Sequence, residues 1–355
     1  MGRQAGTFTE ARRQLHVHTA FWRFQTRTGS RNARLIALVG LVTLIAGACS
    51  ADAPSSPLRN AAMLEANALA AVAARIAGPS GSVVFYSSRE GAPSKIWVMN
   101  PGGSGQQRVS SGPGADIWPD ISPNGRYIAF TSNRSGNNEI WVLELTSGQL
   151  WTVSNHTGDD NWPRWSPNGQ QIAFHSNRDG NYNLYVVNTD GSGLRRVTSD
   201  VALDQWPDWS PNGKQLAFRR GMDVYVADVE GEEQNVRRLT NLPATVDQMP
   251  VWSPNGKQLA FMSAREGYPS VFLMSAEGDT PEDPAVNLTP KDPADPNSAW
   301  LSRAPAWSMN GKQIYFMSFR PPHGTNVEIY VMDADGTNVQ RLTEAAGEDG
   351  GPQLR

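Results

Sequence analysis

The sequence has only one cysteine, few charged residues and none of the familiar catalytic motifs. A single Cys excludes an intramolecular disulfide framework and any zinc site built from several cysteines. Neither G-x-S-x-G nor H-E-x-x-H occurs, so the common serine-hydrolase and zinc-protease signatures are absent. Charged residues make up 18% and hydrophobic residues 39% of the 355 residues, and with 33 Gly this composition suffices for a packed core.

The charge is divided unevenly along the chain. Residues 1–48 hold seven Arg, no Lys and one acidic residue, Glu10, whereas the whole chain has 31 Lys+Arg and 34 Asp+Glu. By subtraction, residues 49–355 carry 24 basic and 33 acidic side chains, a net charge of −9. A nucleic-acid partner requires a basic face that neutralises phosphates, so this balance argues against one.

Residues 1–48 have the pattern of a secretory signal peptide. Basic residues precede the apolar run 35–48, which is short for a membrane span and typical of a signal-peptide hydrophobic region. Two interpretations of its end stay open. Ala46-x-Ala48 fits ordinary cleavage and a secreted protein. The segment LIAGAC also resembles a bacterial lipobox, which would make Cys49 a lipidation site and anchor the protein to a membrane.

The next stretch is expected to lead into the folded domain. Residues 49–59 are typical of a tether, and 60–80 predict a short helix and a linker, because an Ala-rich segment lies between an Asn N-cap and a Gly-Pro stop. Leu69, Val72 and Ile76 form an apolar stripe on this helix. We expect it to lie on the following domain or to act as a stalk, and a partner-binding helix is the alternative.

From residue 81 onward the chain repeats itself. One eight-residue string recurs five times, with spacings of 44, 44, 43 and 55 residues between its Ser positions. The copies are WPDISPNG at 118–125, WPRWSPNG at 162–169, WPDWSPNG at 206–213, MPVWSPNG at 249–256 and APAWSMNG at 304–311. Each copy is followed by a strand-like run such as YIAFTS, a polar turn, a second run such as EIWVLE and a short third element such as LWTVS.

These units predict four-stranded antiparallel sheets. Pro fixes φ and Asn-Gly accepts a positive φ, so the Pro-Asn-Gly string forms a tight turn between two strands. The alternating β-branched and aromatic residues that follow are typical of strands. A four-stranded sheet that recurs at this period is a propeller blade. Because an isolated blade exposes both faces, the blades must stack around an axis and bury Trp and Phe between them.

We expect six blades. There are five turn strings but six sets of the later strands, and the first set, at 83–110, lacks a preceding first strand. The C-terminal GPQLR at 351–355 places Pro352 at the Pro position of the repeat. The sequence therefore predicts an all-β, six-bladed β-propeller over 81–355, whose ring is closed when the C-terminal strand completes the first blade.

The WSPNG string and the IAF-x-S-x-R-x-G-x-x-x-I-Y-V pattern resemble the TolB-like propeller repeat of bacterial periplasmic proteins. The resemblance covers about 81–355 and implies this fold and a place in the cell envelope. TolB itself carries an α/β domain ahead of its propeller, whereas about 30 residues separate Cys49 from the first strand here. The same repeat also occurs fused to peptidase domains, so the resemblance does not specify one function.

One set of polar side chains recurs with the repeat. Three residues before each repeat Pro, just before the expected innermost strand, the chain has an Asp in five units and Ser302 in the sixth. The five are Asp116, Asp160, Asp204, Asp247 and Asp349. Repeat symmetry would place them as a ring near one mouth of the axial channel, where they could bind a cation, a basic side chain or a peptide terminus. Alternatively, each Asp caps the turn into the innermost strand.

Three histidines follow the signal segment. His156, His175 and His323 fall in different repeats and share no repeat position, which favours structural or solvated roles over a metal-binding cluster. We therefore expect no metal and no cofactor.

The fifth unit is longer than the others. It contains two insertions rich in Pro and Asp, at 278–286 and 290–303, and the second carries Trp300. Loops on a rigid scaffold often hold binding residues, so Trp300 is a candidate for contact with a partner. A surface insertion without function is the alternative.

Three functions are compatible with these observations. The favoured one is a non-catalytic binding or scaffold module of the periplasm or cell envelope, which presents a propeller face to a protein or peptidoglycan-associated partner. The rival is a propeller enzyme, a hydrolase or lyase, with a site at the channel mouth that uses the Asp ring and His156 or His323. The third is a sensor domain that works with a separately encoded enzyme.

Overall fold

The structure is a computed structural model that describes residues 67–74, 81–91, 93–291, 301–319 and 326–354. The leader, Cys49, the tether, Trp300 and His323 lie outside these residues. Within the described ranges the chain forms six four-stranded antiparallel sheets and one short helix. The predicted six-bladed β-propeller is therefore confirmed.

The blades follow one another in chain order. Blade 1 contains β1 Val83–Ser87, β2 Lys95–Met99, β3 Gln107–Arg108 and β24 Asp349–Leu354. Blade 2 contains β4 Asp116–Ile121, β5 Tyr127–Ser132, β6 Glu139–Glu144 and β7 Leu150–Thr152. Blade 3 contains β8 Asp160–Trp165, β9 Gln171–Ser176, β10 Asn183–Asn188 and β11 Arg195–Arg196.

The second half of the ring repeats this arrangement. Blade 4 contains β12 Asp204–Trp209, β13 Gln215–Arg220, β14 Asp223–Asp228 and β15 Arg237–Arg238. Blade 5 contains β16 Asp247–Trp252, β17 Gln258–Ser263, β18 Ser270–Ser275 and β19 Val286–Asn287. Blade 6 contains β20 Leu301–Trp307, β21 Gln313–Phe319, β22 Glu328–Asp333 and β23 Gln340–Arg341.

The C-terminal strand closes the ring, as predicted. β24 pairs antiparallel with β1, with Val83 opposite Leu354 and Ser87 opposite Asp349. The first strands of successive blades contact one another around the whole ring, so they line the axis. One detail differs from the expectation: each repeated Asp is the first residue of an inner strand rather than a residue before it.

Ser and Thr hydroxyls accept hydrogen bonds from main-chain N–H groups at two recurring places in the blades. In the turn after β4, the Ser122 hydroxyl donates to Asn124 Oδ1 at 2.7 Å and accepts the Tyr127 N–H at 2.9 Å. At the outer edge, the hydroxyl of the Ser or Thr that ends each unit accepts a backbone N–H from the third strand in all six blades. These hydroxyls belong to Ser110, Ser154, Thr198, Thr240, Thr289 and Thr343. The final Ser or Thr of each unit therefore fixes the end of its blade.

The core lies between the blades. The Phe of each second strand has no exposed surface, and these residues are Phe85, Phe130, Phe174, Phe218, Phe261 and Phe316. Burying a Phe side chain contributes about 1.5–3 kcal/mol. The burial of these six Phe side chains, together with that of the Trp residues of the inner strands, holds neighbouring blades together.

The predicted helix packs on the propeller. Its described residues are 67–74, and Val72 is 1% exposed within the cluster that includes residues of blades 1 and 2. Leu69 lines a cleft together with Val109, Phe130 and Leu143. Ile76, the third residue of the predicted stripe, lies outside the described residues. In the described part of the chain, no helix is both long and apolar enough to cross a membrane.

The ring has two faces with different loops. We call upper face the side formed by the loops into the inner strands, such as 153–159, and the turns after the second strands, such as 133–138. We call lower face the opposite side, formed by the Pro-Asn-Gly turns, such as 122–126, and the turns after the third strands, such as 145–149.

Candidate functional site

The five repeated Asp side chains are buried and paired with arginines of their own blades. Each Asp side chain has no exposed surface, and an arginine nitrogen lies within 3.3 Å of it. The pairs are Asp116–Arg134, Asp160–Arg178, Asp204–Arg220, Asp247–Arg265 and Asp349–Arg89. In four blades the Arg comes from the upper-face turn after the second strand, and in blade 4 it is the last residue of that strand.

Aromatic rings complete each pair. The Arg178 guanidinium carbon lies 5.4 Å from the Phe174 ring centre and 4.9 Å from that of Tyr185. Comparable contacts occur at the other four arginines, Arg89, Arg134, Arg220 and Arg265. Each arginine thus lies between a carboxylate and the aromatic core, which fixes the upper-face turn to the inner strand.

The pairing limits what these carboxylates can do chemically. Burial raises the pKa of Asp204, and hydrogen bonds from Arg220 and Thr198 oppose that rise. In blade 6, where Ser302 replaces the Asp, its hydroxyl lies 2.9 Å from that of Ser318. Asp116 also contacts Ser110 and Lys95 of blade 1, whereas one carboxylate oxygen each of Asp247 and Asp349 has no hydrogen-bond partner. The feature that all five carboxylates share is the arginine of their own blade, so their geometry is that of a structural clamp repeated in five blades.

The axial channel is closed by side chains next to the repeat Pro. The residue before each repeat Pro has a positive φ, and these residues are Trp118, Trp162, Trp206, Met249, Ala304 and Gly351. The centres of the Trp118 and Trp162 rings lie 4.3 Å apart, and those of Trp162 and Trp206 lie 6.3 Å apart. Blades 2 to 5 therefore contribute large side chains to the axis, and blades 6 and 1 contribute small ones.

A β-bulge in each inner strand produces this arrangement. In blade 3 the pairing register with the second strand shifts between Asn161 and Arg164, and Trp162 has a φ of 59° within the bulge. A positive φ is costly for a large side chain and persists only where the surroundings enforce it. Here the Trp162 N–H donates to Thr131 Oγ1 of the preceding blade at 3.0 Å, and its indole is 4% exposed.

The two described histidines are not brought together with the Asp clamps into one site. His175 is buried, which lowers its pKa to about 3, and its Nδ1 accepts the Trp206 N–H at 3.3 Å. His156 Nδ1 accepts the Gly158 N–H at 2.9 Å in an upper-face loop. Among the residues that the structure describes, no group of three His, Cys, Asp or Glu could hold a metal ion.

The upper face carries an exposed apolar area that the sequence reasoning missed. It consists of Val201, Leu203, Met222 and Leu242, which are 97%, 43%, 43% and 40% exposed, and we call it the blade 3–4 patch. The Gly221 N–H donates to Leu203 O, and the Asp247 N–H donates to Met222 O. These bonds hold the loop before β12, the turn before β14 and the loop before β16 side by side. The only sequence signal was apolar residues in loops that are polar in other repeats.

Known proteins agree with this architecture. The family model described as the TolB beta propeller domain matches residues 117–223. No curated protein is significantly similar to this chain in sequence.

Several solved structures share the fold. TolB from Acinetobacter baumannii is 20% identical, with a TM-score of 0.64 over 85% of this chain and 74% of that one. A putative TolB from Agrobacterium tumefaciens is 22% identical, with a TM-score of 0.58 over 77% of this chain and 91% of that one. Hydrazine synthase from Kuenenia stuttgartiensis is 12% identical, with a TM-score of 0.62 over 78% of this chain and 47% of that one. At such identities the likeness establishes the fold and no activity. The chain is a six-bladed β-propeller whose fold is shared with TolB and whose residues 117–223 match the TolB beta propeller domain model.

Proposed function

We propose that the propeller is a non-catalytic binding module of the bacterial cell envelope, which holds a protein partner on its upper face. The observation that carries this proposal is the blade 3–4 patch. Its four large apolar side chains lie on three adjacent segments, whereas isolated exposed apolar residues are normal on any surface. An apolar segment of a partner would cover them and gain hydrophobic free energy.

The Asp clamps support this proposal indirectly. Because each carboxylate faces an arginine inside its own blade, the clamps brace the upper-face turns rather than offer a charged surface. The turns beside the patch are therefore held rigidly. A rigid surface loses little conformational entropy when a partner binds.

The first experiment compares variants of the two faces. Leu203→Asp combined with Met222→Asp should abolish capture of the partner from envelope extracts, because a charge in the patch must be desolvated. The matched control is Leu194→Asp combined with Val339→Asp, since Leu194 has the same 43% exposure as Leu203 but lies on the lower face. Capture that survives the patch variant, or that is lost equally in the control, would contradict the proposal.

We further propose that Cys49 anchors the protein in the envelope through a lipid. The apolar run 35–48 before the only cysteine and the likeness of the propeller to TolB both support this location. Labelling cells with a radioactive fatty acid should label the protein and should not label Cys49→Ala. An unlabelled wild-type protein would favour ordinary cleavage and secretion.

The insertion that contains Trp300 is a second proposed contact with the partner. The last strand of blade 5 ends at Asn287, and the inner strand of blade 6 begins at Leu301. The insertion therefore belongs to the connection between these two strands, which is one of the loops into the inner strands that form the upper face. Deleting 292–299 and changing Trp300→Ala should each weaken capture if the insertion contacts the partner. Unchanged capture by both variants would restrict the binding surface to the blade 3–4 patch.

A further inference from the structure

A cavity of about 290 Å³ opens on the lower face, at the end of the axial channel opposite the blade 3–4 patch. All six inner strands line it through the residue that follows each repeat Pro. These residues are Asp120, Arg164, Asp208, Val251, Ala306 and Gln353. The cavity is at the small end of the range for ligand sites, so it suits a small molecule.

Arg164 is a buried cation whose hydrogen-bonding capacity is not filled. Its residue is 4% exposed, and its Nε and Nη2 atoms have no hydrogen-bond partner. Nε lies 3.4 Å from Asp208 Oδ1, an ion-pair distance without hydrogen-bond geometry, and the guanidinium carbon lies 5.2 Å from the Trp162 ring centre. A buried guanidinium with free N–H groups is costly, so an acceptor bound here would be stabilised strongly.

The charge around the cavity excludes a simple anion as the best ligand. Asp120 is 4% exposed, and its Oδ2 accepts the Trp165 N–H at 2.7 Å. Within the described ranges, Asp120 forms no ion pair, whereas Asp208 lies beside Arg164. Two carboxylates and one guanidinium give the cavity wall a net charge of −1. A ligand that carries a cationic group beside its acceptor would satisfy both Arg164 and Asp120.

The opposite half of the wall is uncharged. Val251 and Ala306 are 5% and 2% exposed, and the indoles of Trp252 and Trp307 line the same side of the cavity. The cavity thus has a charged half on blades 2 to 4 and an uncharged half on blades 5, 6 and 1, whose polar groups are the Gln353 amide and the unpartnered indole N–H groups of Trp252 and Trp307. This division matches a molecule with a zwitterionic head and an apolar side chain.

We propose that the lower-face cavity binds a free α-amino acid with an apolar side chain. The ligand carboxylate accepts hydrogen bonds from Arg164, its ammonium donates to Asp120, and its side chain packs against Val251 and Ala306. This site is independent of the proposed partner surface, because the two lie at opposite mouths of a channel closed by Trp162 and its neighbours.

Calorimetric titration of the intact protein with three matched probes tests this assignment. L-leucine carries both charges, N-acetyl-L-leucine keeps only the carboxylate, and L-leucinamide keeps only the ammonium. We expect leucine to bind and each derivative to bind at least ~10-fold more weakly, since each lacks one charge-assisted contact. Absence of leucine binding at millimolar concentration, or equal binding of either derivative, would overturn the proposal.

Variants assign the binding to these residues. Arg164→Gln and Asp120→Asn should each weaken leucine binding at least ~10-fold, and Arg126→Gln is the matched control, because its side chain is 57% exposed and pairs with Glu144. If Arg164→Gln does not fold, Arg164→Lys keeps the charge and should retain weakened binding. Unchanged affinity in Arg164→Gln or Arg164→Lys would refute the site. Leucine binding should persist in the patch variant Leu203→Asp/Met222→Asp, which separates this proposal from that of the partner surface.

Discussion

The Nη2 atom of Arg178 lies 2.9 Å from both carboxylate oxygens of Asp160, and the Asp160 side chain has no exposed surface. Removing the arginine would leave a buried, uncompensated charge. Arg178→Met should therefore lower the free energy of unfolding by about 3–5 kcal/mol, measured by urea denaturation. Arg108→Met removes an ion pair with Glu90 whose side chains are 48% and 52% exposed, and it should cost less than about 1 kcal/mol. Similar losses in both variants would contradict the clamp.

His175 should make stability depend on pH. Burial lowers its pKa from 6.5 to about 3, so the unfolded state binds more protons than the folded state between these values. Stability from this residue is fully present above about pH 6.5 and is lost as the pH falls, by roughly 2–3 kcal/mol near pH 4.5. The free energies of unfolding of the wild type and His175→Gln, measured across this range, should converge at low pH. A constant difference between the two would show that His175 does not titrate as described.

Gly351 should resist substitution because there is no room for a side chain. Its positive φ is not the obstacle, since Trp, Met and Ala adopt a positive φ at the equivalent positions of the other blades. A Cβ on Gly351 would lie 2.9 Å from Trp118 Cε3 and 3.1 Å from Tyr86 Cε1. Gly351→Ala should therefore lower the free energy of unfolding by about 1–3 kcal/mol. Gly102→Ala, where no atom lies within 4 Å of the added Cβ, should stay within about 0.5 kcal/mol. A neutral Gly351→Ala would mean that the Trp118 and Tyr86 rings move aside at no cost.

The stability of the ring should depend on β24, the C-terminal strand that closes it, and a peptide supplied in its place should restore that stability. Truncation after Glu348 removes β24 and leaves the edge of β1 without its partner, so the melting temperature should fall sharply. A synthetic peptide of residues 347–355 should restore it by pairing with β1, and a scrambled peptide should not. Equal stability of the truncated and full-length chains would refute the role of β24 in closure.

The blades could be predicted from sequence because their signals are local. The Ser-Pro-Asn-Gly turns and the alternating runs such as 127–132 specify strands and hairpins within a few residues. Ring closure also followed, because Pro352 matched the repeat outside any complete unit. These features need no knowledge of the tertiary contacts.

The site was less predictable because it depends on contacts between segments that are distant in sequence. The Asp residues were identified, but Asp160 pairs with Arg178, which is 18 residues away across a hairpin. The recurring Ser-x-Arg spacing carried that signal. That Trp162 lies on the axis and Trp165 between blades could not be read from the sequence, since the bulge and its positive φ determine it.

We propose that the upper face, and the blade 3–4 patch in particular, holds a protein partner. Site-specific photo-crosslinking in intact cells tests it directly, with the crosslinker placed at residue 203 or 222 and, as controls, at residue 194 or 339 on the lower face. We expect one discrete crosslinked protein from positions 203 and 222 and none from the two controls. The same crosslinked product from both faces, or no product from either, would contradict the account.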